Sequence, residues 1–242
     1  MIRTKSITSH EFDQYAGDYD RMLAEGLVVS GEEKDYFALR RIQWVKACMD
    51  KLQLAPRRFM DYGCGRGEAA PLLLGQFNAE SVVGVDPSAK LIELAKHEHT
   101  SRRIIFQLTQ EYCPEEEREL VYCNGVFHHI PVAERKMAAQ YIWRSLEPGG
   151  CLAFWENNSW NPGTRYVMSR IPFDRDAVTL TAPEATRLLQ SAGFHIVRTD
   201  YLFIFPKSLS VLRWMEPHLS PYPFGAQYLV LGRKAGRLSN RA

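Results

Sequence analysis

The sequence predicts an α/β protein with a doubly wound, mostly parallel sheet and helices on both of its faces. Strand and helix patterns alternate along the middle of the chain, and the strands are short apolar runs typical of a sheet that is buried on both faces. The first of these strands runs into a glycine-rich turn. Strands separated by helices of this length form parallel sheets with right-handed crossovers.

The individual elements follow from apolar periodicity and from turn residues. A helix over 32–52 repeats apolar residues at three- and four-residue steps, so one of its faces is buried. Ser88 is available as the N-cap of a later helix, and Gly193 is the usual left-handed stop after another. A long loop region is predicted over 157–180, where Asn-Pro, Gly and Ile-Pro signals accumulate. The predicted strands are 58–62, 81–85, 103–108, 120–124, 151–155, 195–205 and 228–232, and the predicted helices are 32–52, 69–77, 88–97, 132–146, 183–192 and 209–215.

Length, charge and cysteine content narrow the class of protein. The 242 residues suit a single domain, and 30 basic against 28 acidic residues give a net charge of +2, which offers no electrostatic case for nucleic acid. Five cysteines without a Cys-x-x-Cys pair indicate neither a disulfide framework nor a metal site, and they favour a reducing cytoplasm. The N-terminus is polar and no apolar run nears the roughly 20 residues that a membrane span needs. We therefore expect a cytoplasmic monomer or homodimer with no nucleic-acid partner.

The glycine-rich turn indicates a ligand at the end of the first strand. Ligands of open parallel sheets lie beyond the carboxyl ends of the strands, and glycines let backbone N–H groups approach them closely. The spacing is G-x-G-x-G over Gly63, Gly65 and Gly67, whereas a nicotinamide fingerprint requires its third glycine at the position of Glu68. Asp86 ends the next strand, 19 residues beyond Gly67, where a carboxylate can accept hydrogen bonds from both hydroxyls of a ribose.

These residues resemble motif I and the ribose-binding acid of class I S-adenosylmethionine-dependent methyltransferases. Two further segments are similar to the same family: Val-Phe-His-His-Ile-Pro over 126–131, after the fourth strand, and Leu-Glu-Pro-Gly-Gly over 146–150, before the fifth. The four matches occur in order over about residues 55–155. The resemblance implies a Rossmann-like, seven-stranded sheet with a reversed last strand, which the hairpin-like pair 195–205 and 228–232 fits.

The resemblance also implies S-adenosyl-L-methionine as the cofactor and S-adenosyl-L-homocysteine as its product. The glycines should pass close to the methionine and ribose parts, Asp61 should orient the turn and reach the methionine ammonium, and Asp86 should hold the ribose. Many family members carry an acid after the third strand, near the adenine amine; here Gln110 is the candidate, with an ordinary surface-loop residue as the alternative. The implied cofactor-binding residues are Asp61, Gly63, Cys64, Gly65, Gly67, Asp86, Pro87, Gln110, Asn124 and Gly125.

Three residues are candidates for a catalytic base. His128 and His129 follow the fourth strand, whose loop faces the methyl group in this family, and histidine titrates near neutrality. One of the two histidines could instead pack against the next helix or cap it. Glu156 follows the fifth strand and could act as a base or as a hydrogen-bond acceptor.

Residues after the fifth strand and in the N-terminal arm are candidates for binding the acceptor. Asn157 and Asn158 could position hydroxyl groups, or could serve turn formation, which asparagine favours. Arg165 could help to clamp an anionic group, with a solvated surface position as the alternative. Tyr15 and Tyr19 resemble the family's Y-x-x-x-Y lid, which excludes water, unless they only pack onto the following helix.

Aromatic residues are concentrated late in the chain. Alternation along the sixth strand places most of them in the core, and some could instead extend an apolar wall for a lipid-like or aromatic acceptor. These aromatic residues are Tyr201, Phe203, Phe205, Trp214, Tyr222 and Phe224.

The sequence therefore favours an S-adenosylmethionine-dependent methyltransferase with a small-molecule acceptor. Methylation of oxygen is slightly favoured, and a saccharide, a lipid-like molecule or a natural-product intermediate would each suit. The alternative is a catalytically silent protein or partner subunit that retains cofactor binding. We predict one methyltransferase domain over 1–242, with an N-terminal helical arm or lid over 1–54, a cofactor-binding half over 55–155 and an acceptor-side half over 156–242.

Overall fold

A computed structural model describes residues 31–171 and 177–236 of the chain. Tyr15 and Tyr19 of the predicted lid lie outside these residues. In the described part, the strands are β1 (Arg58–Tyr62), β2 (Ser81–Asp86), β3 (Ile104–Leu108), β4 (Arg118–Asn124), β5 (Leu146–Asn157), β6 (Phe194–Leu202) and β7 (Gln227–Lys234). The helices there are α1 (Lys34–Lys51), α2 (Ala69–Phe77), α3 (Ala89–Glu98), α4 (Arg135–Ser145), α5 (Pro162–Arg170), α6 (Ala182–Ser191) and α7 (Glu216–Leu219), with a 3₁₀ helix over Lys207–Met215.

The seven strands form one sheet in the order β3-β2-β1-β4-β5-β7-β6. Neighbouring strands from β3 to β5 are parallel, and β7 runs antiparallel to both β5 and β6. The predicted seven-stranded, mostly parallel sheet with a reversed last strand is therefore confirmed. The strand order reverses at β1, because β2 and β4 lie on its two sides.

Two hydrophobic cores cover the two faces of the sheet. Successive residues of a strand point to opposite faces, and in β1 Phe59 belongs to one core while Met60 belongs to the other. The Phe59 core includes Ile42 of α1 and Leu73 of α2, whereas the Met60 core includes Ile142 of α4. Helices thus pack on both faces, as predicted. None of the helices within the described residues is long and apolar enough to cross a membrane.

The loops that follow β1, β2, β4 and β5 lie at one edge of the sheet, since parallel strands have their carboxyl ends on the same side. The predicted cap of α3 is confirmed there: Ser88 Oγ accepts a hydrogen bond from Leu91 N at 3.2 Å. This capped helix start follows β2 directly, so it fixes the end of β2 beside the glycine-rich turn.

Helix α5 occupies part of the segment 157–180, so the prediction of a continuous loop there is wrong. Asn161 Oδ1 accepts a hydrogen bond from Thr164 N at 3.1 Å, and Pro162 lies in the first turn of the helix. Asn-Pro starts a helix here, because the amide that proline lacks would have no intrahelical partner in the first turn.

Strand β6 ends at Leu202, short of its predicted end at residue 205. The next residue, Phe203, has a φ of +62°, which is left-handed backbone and ends the extended conformation. The segment beyond it therefore leaves the sheet.

Three of the late aromatic residues are exposed, so the expectation that most of the group belongs to the core is wrong for them. Trp214, Tyr222 and Phe224 are 71%, 56% and 58% exposed. They lie in the 3₁₀ helix and in the connection to β7 rather than in a strand, so the strand alternation does not apply to them.

Candidate functional site

Two adjoining cavities lie at the edge of the sheet where β1, β2 and β4 end. The first has a volume of about 600 Å³ and is lined by the glycine-rich turn and by Asp86. The second has a volume of about 390 Å³ and lies beside α1, α5 and the segment after β6. Arg41, Asn124, Gly125 and His129 line both cavities, so the two spaces meet at these residues. Cavities of this size hold small organic ligands.

The turn after β1 leaves its backbone open to the first cavity. Gly63 has a φ of +73°, and a Cβ at this position would lie 2.4 Å from Val126 Cγ2, so glycine is required for the close contact. Gly65 has a φ of +53°, and a Cβ there would meet no atom of residues 31–171 or 177–236 within 4 Å. Because Gly65 lines the cavity, the absence of its side chain leaves space for a ligand.

Asp61 is a buried carboxylate with unused hydrogen-bonding capacity. It is 3% exposed and lines the first cavity, and its Oδ2 has no hydrogen-bond partner among the described residues. Burial, and to a smaller extent the charge of Asp86, raise the pKa of Asp61 to about 7. A cation beside Oδ2 would favour the charged carboxylate and lower this pKa.

Asp86 connects the glycine-rich turn to the start of α3. Its Oδ2 accepts a hydrogen bond from Gly65 N at 3.0 Å, and its Oδ1 accepts one from Ser88 N at 2.9 Å. The side chain is buried and lines the first cavity. Asp86 therefore fixes the turn at the point where the strand order of the sheet reverses.

Arg41 projects from α1 to the border between the two cavities. It is 9% exposed, its Nε donates to Tyr122 Oη at 3.2 Å, and its Nη1 donates to Gln227 Oε1 at 2.9 Å. Both partners are neutral, and none of the ion pairs among residues 31–171 and 177–236 involves Arg41. A buried guanidinium without an anionic partner is costly, so this position favours an anionic ligand.

The positions of Arg41 and Asp61 are related through the sheet. Tyr122 of β4 is paired in register with Asp61 of β1, and the Tyr122 hydroxyl holds the guanidinium of Arg41. The first cavity is therefore lined by a carboxylate and a guanidinium that are held by neighbouring strands.

His128 and Glu156 form a buried pair beside the second cavity. His128 Nδ1 lies 2.6 Å from Glu156 Oε2, and the two side chains are 3% and 1% exposed. Glu156 Oε1 also accepts a hydrogen bond from Phe127 N at 2.7 Å. A carboxylate only accepts hydrogen bonds, so the pair places the proton of neutral His128 on Nδ1 and leaves Nε2 with its lone pair. His128 lines the second cavity, whereas Glu156 lies behind it.

The structure brings most of the predicted site residues together. The predicted residues that line the first cavity are Asp61, Gly63, Cys64, Gly65, Asp86, Pro87, Asn124, Gly125 and His129. The predicted residues that line the second are Asn124, Gly125, His128, His129 and Asn157. Within the second group, Asn157 Oδ1 accepts a hydrogen bond from Gln227 Nε2 at 3.1 Å.

Five predicted site residues lie outside both cavity walls: Gly67, Gln110, Glu156, Asn158 and Arg165. Gly67 lies against β3, since a Cβ there would be 2.4 Å from Phe106 Cζ. Gln110 and Arg165 are exposed to solvent, which matches the surface alternatives left open from the sequence.

Asn158 is one of these five, and its side chain holds a loop in place. It is buried, and its Nδ2 donates to Pro223 O at 3.1 Å and to Gly225 O at 2.8 Å. Its Oδ1 accepts a hydrogen bond from Trp160 N at 3.1 Å. These bonds correspond to the turn-forming alternative for Asn158.

Sequence reasoning missed Arg41 and part of the wall of the second cavity. A signal for Arg41 exists, because it shares the buried face of α1 with Val45 and Cys48, at steps of four and three residues. A charged residue on an apolar face calls for a partner. Phe203 and Phe205 belong to the late aromatic residues that the sequence offers as an apolar wall, and both line the second cavity. Tyr36 and Phe37 of α1 line it too and were missed, because α1 and the end of β6 are far apart in sequence.

The molecule resembles proteins of known class along much of its length. Residues 59–150 match the family model described as a methyltransferase domain. The chain is 30% identical over 203 residues to a trans-aconitate 2-methyltransferase of Rhodopseudomonas palustris strain BisB18, with 76% of this chain and 78% of that protein covered. It is 26% identical over 121 residues to the protein of the same name from strain BisB5; this alignment covers 50% of this chain and 46% of that protein.

Solved structures show the same fold. An S-adenosylmethionine-dependent methyltransferase from Thermotoga maritima, described as a possible histamine N-methyltransferase, is 22% identical with a TM-score of 0.63, covering 93% of this chain and 98% of that one. One from Mesorhizobium loti is 18% identical with a TM-score of 0.55, covering 74% of this chain and 91% of that one.

The fold, the matching domain and the 30% identical relative together define the class of this protein. The chain belongs to the class I S-adenosylmethionine-dependent methyltransferase family. It is an enzyme whose cofactor is S-adenosylmethionine, as the sequence predicts.

Proposed function

We propose that this methyltransferase transfers the methyl group to an oxygen atom of a small-molecule acceptor that binds in the second cavity. The observation that carries this proposal is His128, which lines the second cavity and is paired from behind with the buried carboxylate of Glu156. The relatives are named for trans-aconitate, which supports a small molecule as the acceptor here as well.

In this proposal the first cavity holds the cofactor. Asp61 Oδ2 would accept from the methionine ammonium and Arg41 would pair with the methionine carboxylate, because a free α-amino acid group offers both charges. The unpartnered oxygen of Asp61 and the neutral partners of Arg41 support this fit. Asp86 would bind the ribose beside Gly65. When bound, S-adenosylmethionine supplies a methyl group on a sulfonium sulfur, which leaves as the neutral thioether of S-adenosylhomocysteine.

The residues that line both cavities would hold donor and acceptor next to each other. Asn124, Gly125 and His129 lie at this border. Holding two reactants in line accounts for a large share of the rate in such displacements, on the order of 7–11 kcal/mol at best.

His128 is the proposed general base for the acceptor hydroxyl. Glu156 orients it from behind through Nδ1, so that Nε2 takes the proton while the hydroxyl oxygen forms its bond to the methyl carbon. Glu156 is thus a positioning residue rather than a group that meets the acceptor. A carboxylate acceptor would not need this base, since it carries no proton at neutral pH.

The test combines product identification with a variant. Wild-type enzyme is incubated with methyl-labelled S-adenosylmethionine and fractionated small molecules, and the new methyl group is located by NMR. We expect it on oxygen, and we expect His128→Asn to lower kcat by about 10²–10⁴-fold. The affinity for S-adenosylhomocysteine, measured by calorimetry, should stay unchanged in this variant.

A matched control is His195→Asn, because His195 is exposed on β6 and lines neither cavity. Its kcat should equal that of the wild type. A methyl group found on nitrogen or carbon, or an undiminished rate in His128→Asn, would contradict the proposal.

A further inference from the structure

One part of the wall of the second cavity is aromatic. Tyr36 and Phe37 of α1 meet Phe203, which follows β6: the ring centroids of Phe37 and Phe203 are 4.9 Å apart, and those of Tyr36 and Phe203 are 6.4 Å apart. Phe37 packs against Tyr36 at 5.4 Å with an edge-to-face angle of 80°. All three line the cavity, as does Phe205. Aromatic clusters of this geometry offer both faces and edges to a further ring.

Phe203, whose ring belongs to this wall, has a backbone conformation that is unfavourable for a large side chain. Its φ of +62° is rare for a residue with a large side chain. Glu216, 2% exposed, accepts hydrogen bonds from Ile204 N at 3.0 Å and Phe205 N at 3.2 Å, and Ala226 N donates to Phe203 O at 3.2 Å. Strained residues that are fixed by surrounding bonds in this way are concentrated at ligand sites.

Another part of the lining of this cavity is also apolar. Val167, Met168 and Ile171 line the cavity from α5 and from the residue that ends it. Met168 and Ile171 are buried, so they are part of a packed surface rather than mobile side chains on the outside. A planar apolar body in this cavity can therefore contact both aromatic rings and aliphatic groups.

Among the described residues, most charged side chains that line this cavity are paired. Arg213 forms an ion pair with Glu32 at 2.9 Å and lies over the Tyr36 ring at 4.7 Å. Lys34 pairs with Glu68, and His128 pairs with Glu156.

Arg41 differs, because its partners Tyr122 and Gln227 are neutral, but it also lines the first cavity, where the proposed function assigns it to the methionine carboxylate. The described wall thus leaves no cation for a carboxylate-rich acceptor.

We propose that the acceptor is an uncharged phenol. Its aromatic ring contacts the aromatic wall of Tyr36, Phe37 and Phe203 and the apolar side chains of α5, and its hydroxyl is directed at His128. This inference rests on the proposed function and specifies its acceptor class. A phenol hydroxyl has a pKa near 10, much closer to that of histidine than the pKa of an alcohol, so His128 is well matched to remove its proton. The acceptor of this chain then differs in chemistry from the acid for which its relatives are named.

Direct binding tests the acceptor class without relying on turnover. Full-length enzyme saturated with S-adenosylhomocysteine is titrated with 2-naphthol, with its charged analogue 6-hydroxy-2-naphthoate, and with trans-aconitate. We expect 2-naphthol to bind at least tenfold more tightly than either anion. Tighter or equal binding of trans-aconitate, or absence of 2-naphthol binding, would overturn the inference.

Variants locate the binding site of the phenol. Phe203→Leu keeps an apolar side chain, and Tyr36→Ala removes a second ring; each should weaken 2-naphthol binding about tenfold or more. Phe224→Ala is the matched control, because Phe224 is 58% exposed and lines neither cavity, so it should bind as the wild type does. Equal 2-naphthol affinity in all three variants would also overturn the inference.

Calorimetry with S-adenosylhomocysteine distinguishes a failure of the proposed function from a failure of the phenol inference. If wild-type enzyme does not bind S-adenosylhomocysteine, the proposed function itself fails. If it binds S-adenosylhomocysteine and transfers the label to trans-aconitate but not to 2-naphthol, methyl transfer to a small molecule stands and the phenol inference is wrong. Each variant is first shown to bind S-adenosylhomocysteine as the wild type does, so a loss of folding cannot pass for a loss of phenol binding.

Discussion

Asp61 and Arg41 bring opposite charges to one cavity, and neither charge is satisfied by the described protein alone. Each is costly in a buried place: burial raises the pKa of Asp61 to about 7, and the guanidinium of Arg41 has only a phenol and an amide as partners. Buried charged groups without a charged partner are typical of sites where a bound ligand supplies that partner. A zwitterionic amino acid group would supply an ammonium for Asp61 and a carboxylate for Arg41.

The raised pKa of Asp61 makes cofactor affinity depend on pH. Below pH 7 the unliganded enzyme holds a proton on Asp61, which must leave before the carboxylate can accept from an ammonium. We expect the dissociation constant for S-adenosylhomocysteine to rise about tenfold per unit below pH 7. Calorimetry from pH 5.5 to 8.5 measures it. In Asp61→Asn, binding should be weaker and independent of pH over this range; a slope retained in that variant would exclude Asp61 as the titrating group.

The raised pKa of Asp61 also predicts that Asp61→Asn is more stable than the wild type when no ligand is bound. The pKa of Asp61 is higher in the folded state than its value of 3.8 in the unfolded state. Protonated Asp61 therefore stabilises the folded state fully below pH 3.8, and this stabilisation is lost as the pH rises to about 7. Above pH 7 the unliganded wild type carries a buried, unpaired charge. We expect unliganded Asp61→Asn to be more stable than the wild type at pH 8, by at most about 4 kcal/mol, in urea unfolding. Equal midpoints and slopes at pH 8 would show that Asp61 is solvated or paired.

Removing the charge of Arg41 should weaken the cofactor complex. Arg41→Gln keeps a polar side chain but cannot pair with a carboxylate, and we expect a loss of about 1.5–3 kcal/mol in S-adenosylhomocysteine binding. Arg40→Gln is the matched control on the same helix, since Arg40 lines neither cavity and bonds to Gln43 within α1. Equal losses in the two variants would mean that the effect comes from net charge and not from a contact.

Spacing in the sequence located the carboxylates of the site more readily than its cation. Asp61 and Asp86 lie within the last two residues of two successive strands, so local order alone brings them to one edge of the sheet. Arg41 reaches that edge only through the packing of α1, and its partner Gln227 lies 186 residues away in the sequence. Contacts at such separation depend on the tertiary arrangement, which no local pattern contains.

The glycine-rich turn is an element in which two glycines serve different purposes. Gly63 avoids a clash with Val126, whereas no atom of the described residues lies within 4 Å of a Cβ at Gly65, which lines the cavity. We expect Gly63→Ala to lower stability by about 2–4 kcal/mol, because overpacking adds to an unfavourable φ. Gly65→Ala should lower stability by only about 1–2 kcal/mol but reduce S-adenosylhomocysteine affinity. Urea unfolding and calorimetry on both variants test this division, which fails if the two variants lose stability equally.

Strands and helices were predicted about equally closely, and the bound that was furthest off is the start of β5, which begins at Leu146 rather than at residue 151. β1 and α2 have the bounds that the sequence predicts, because buried apolar runs flanked by turn residues leave few alternatives. Helix α5 was missed because Asn-Pro signals both a loop and a helix start, and the choice depends on whether the asparagine side chain reaches the amide of Thr164. The end of β6 was misplaced because the φ of Phe203 is imposed by Glu216 and Ala226 from elsewhere in the fold.

On the scale of the whole molecule, the two cavities share a border but have largely separate walls. Asp61 and the glycine-rich turn line only the first, and the aromatic wall lines only the second. Substitutions in separate walls without shared partners act nearly independently. Cofactor binding should therefore tolerate changes to the acceptor wall.

Thermal and chemical unfolding with ligand measure this independence. A ligand that binds only the folded state increases the free energy of unfolding by about 2.7 kcal/mol when its concentration is 100 times its dissociation constant. At the S-adenosylhomocysteine concentration that gives this increase in the wild type, we expect nearly the same increase in Phe203→Leu and in His128→Asn. In Arg41→Gln the increment should fall well below that of the wild type, because the proposed pairing of Arg41 with the methionine carboxylate is lost. A smaller increment in Phe203→Leu, with Phe224→Ala unchanged, would show instead that the acceptor wall supports the cofactor cavity and that the two halves of the site fold as one unit.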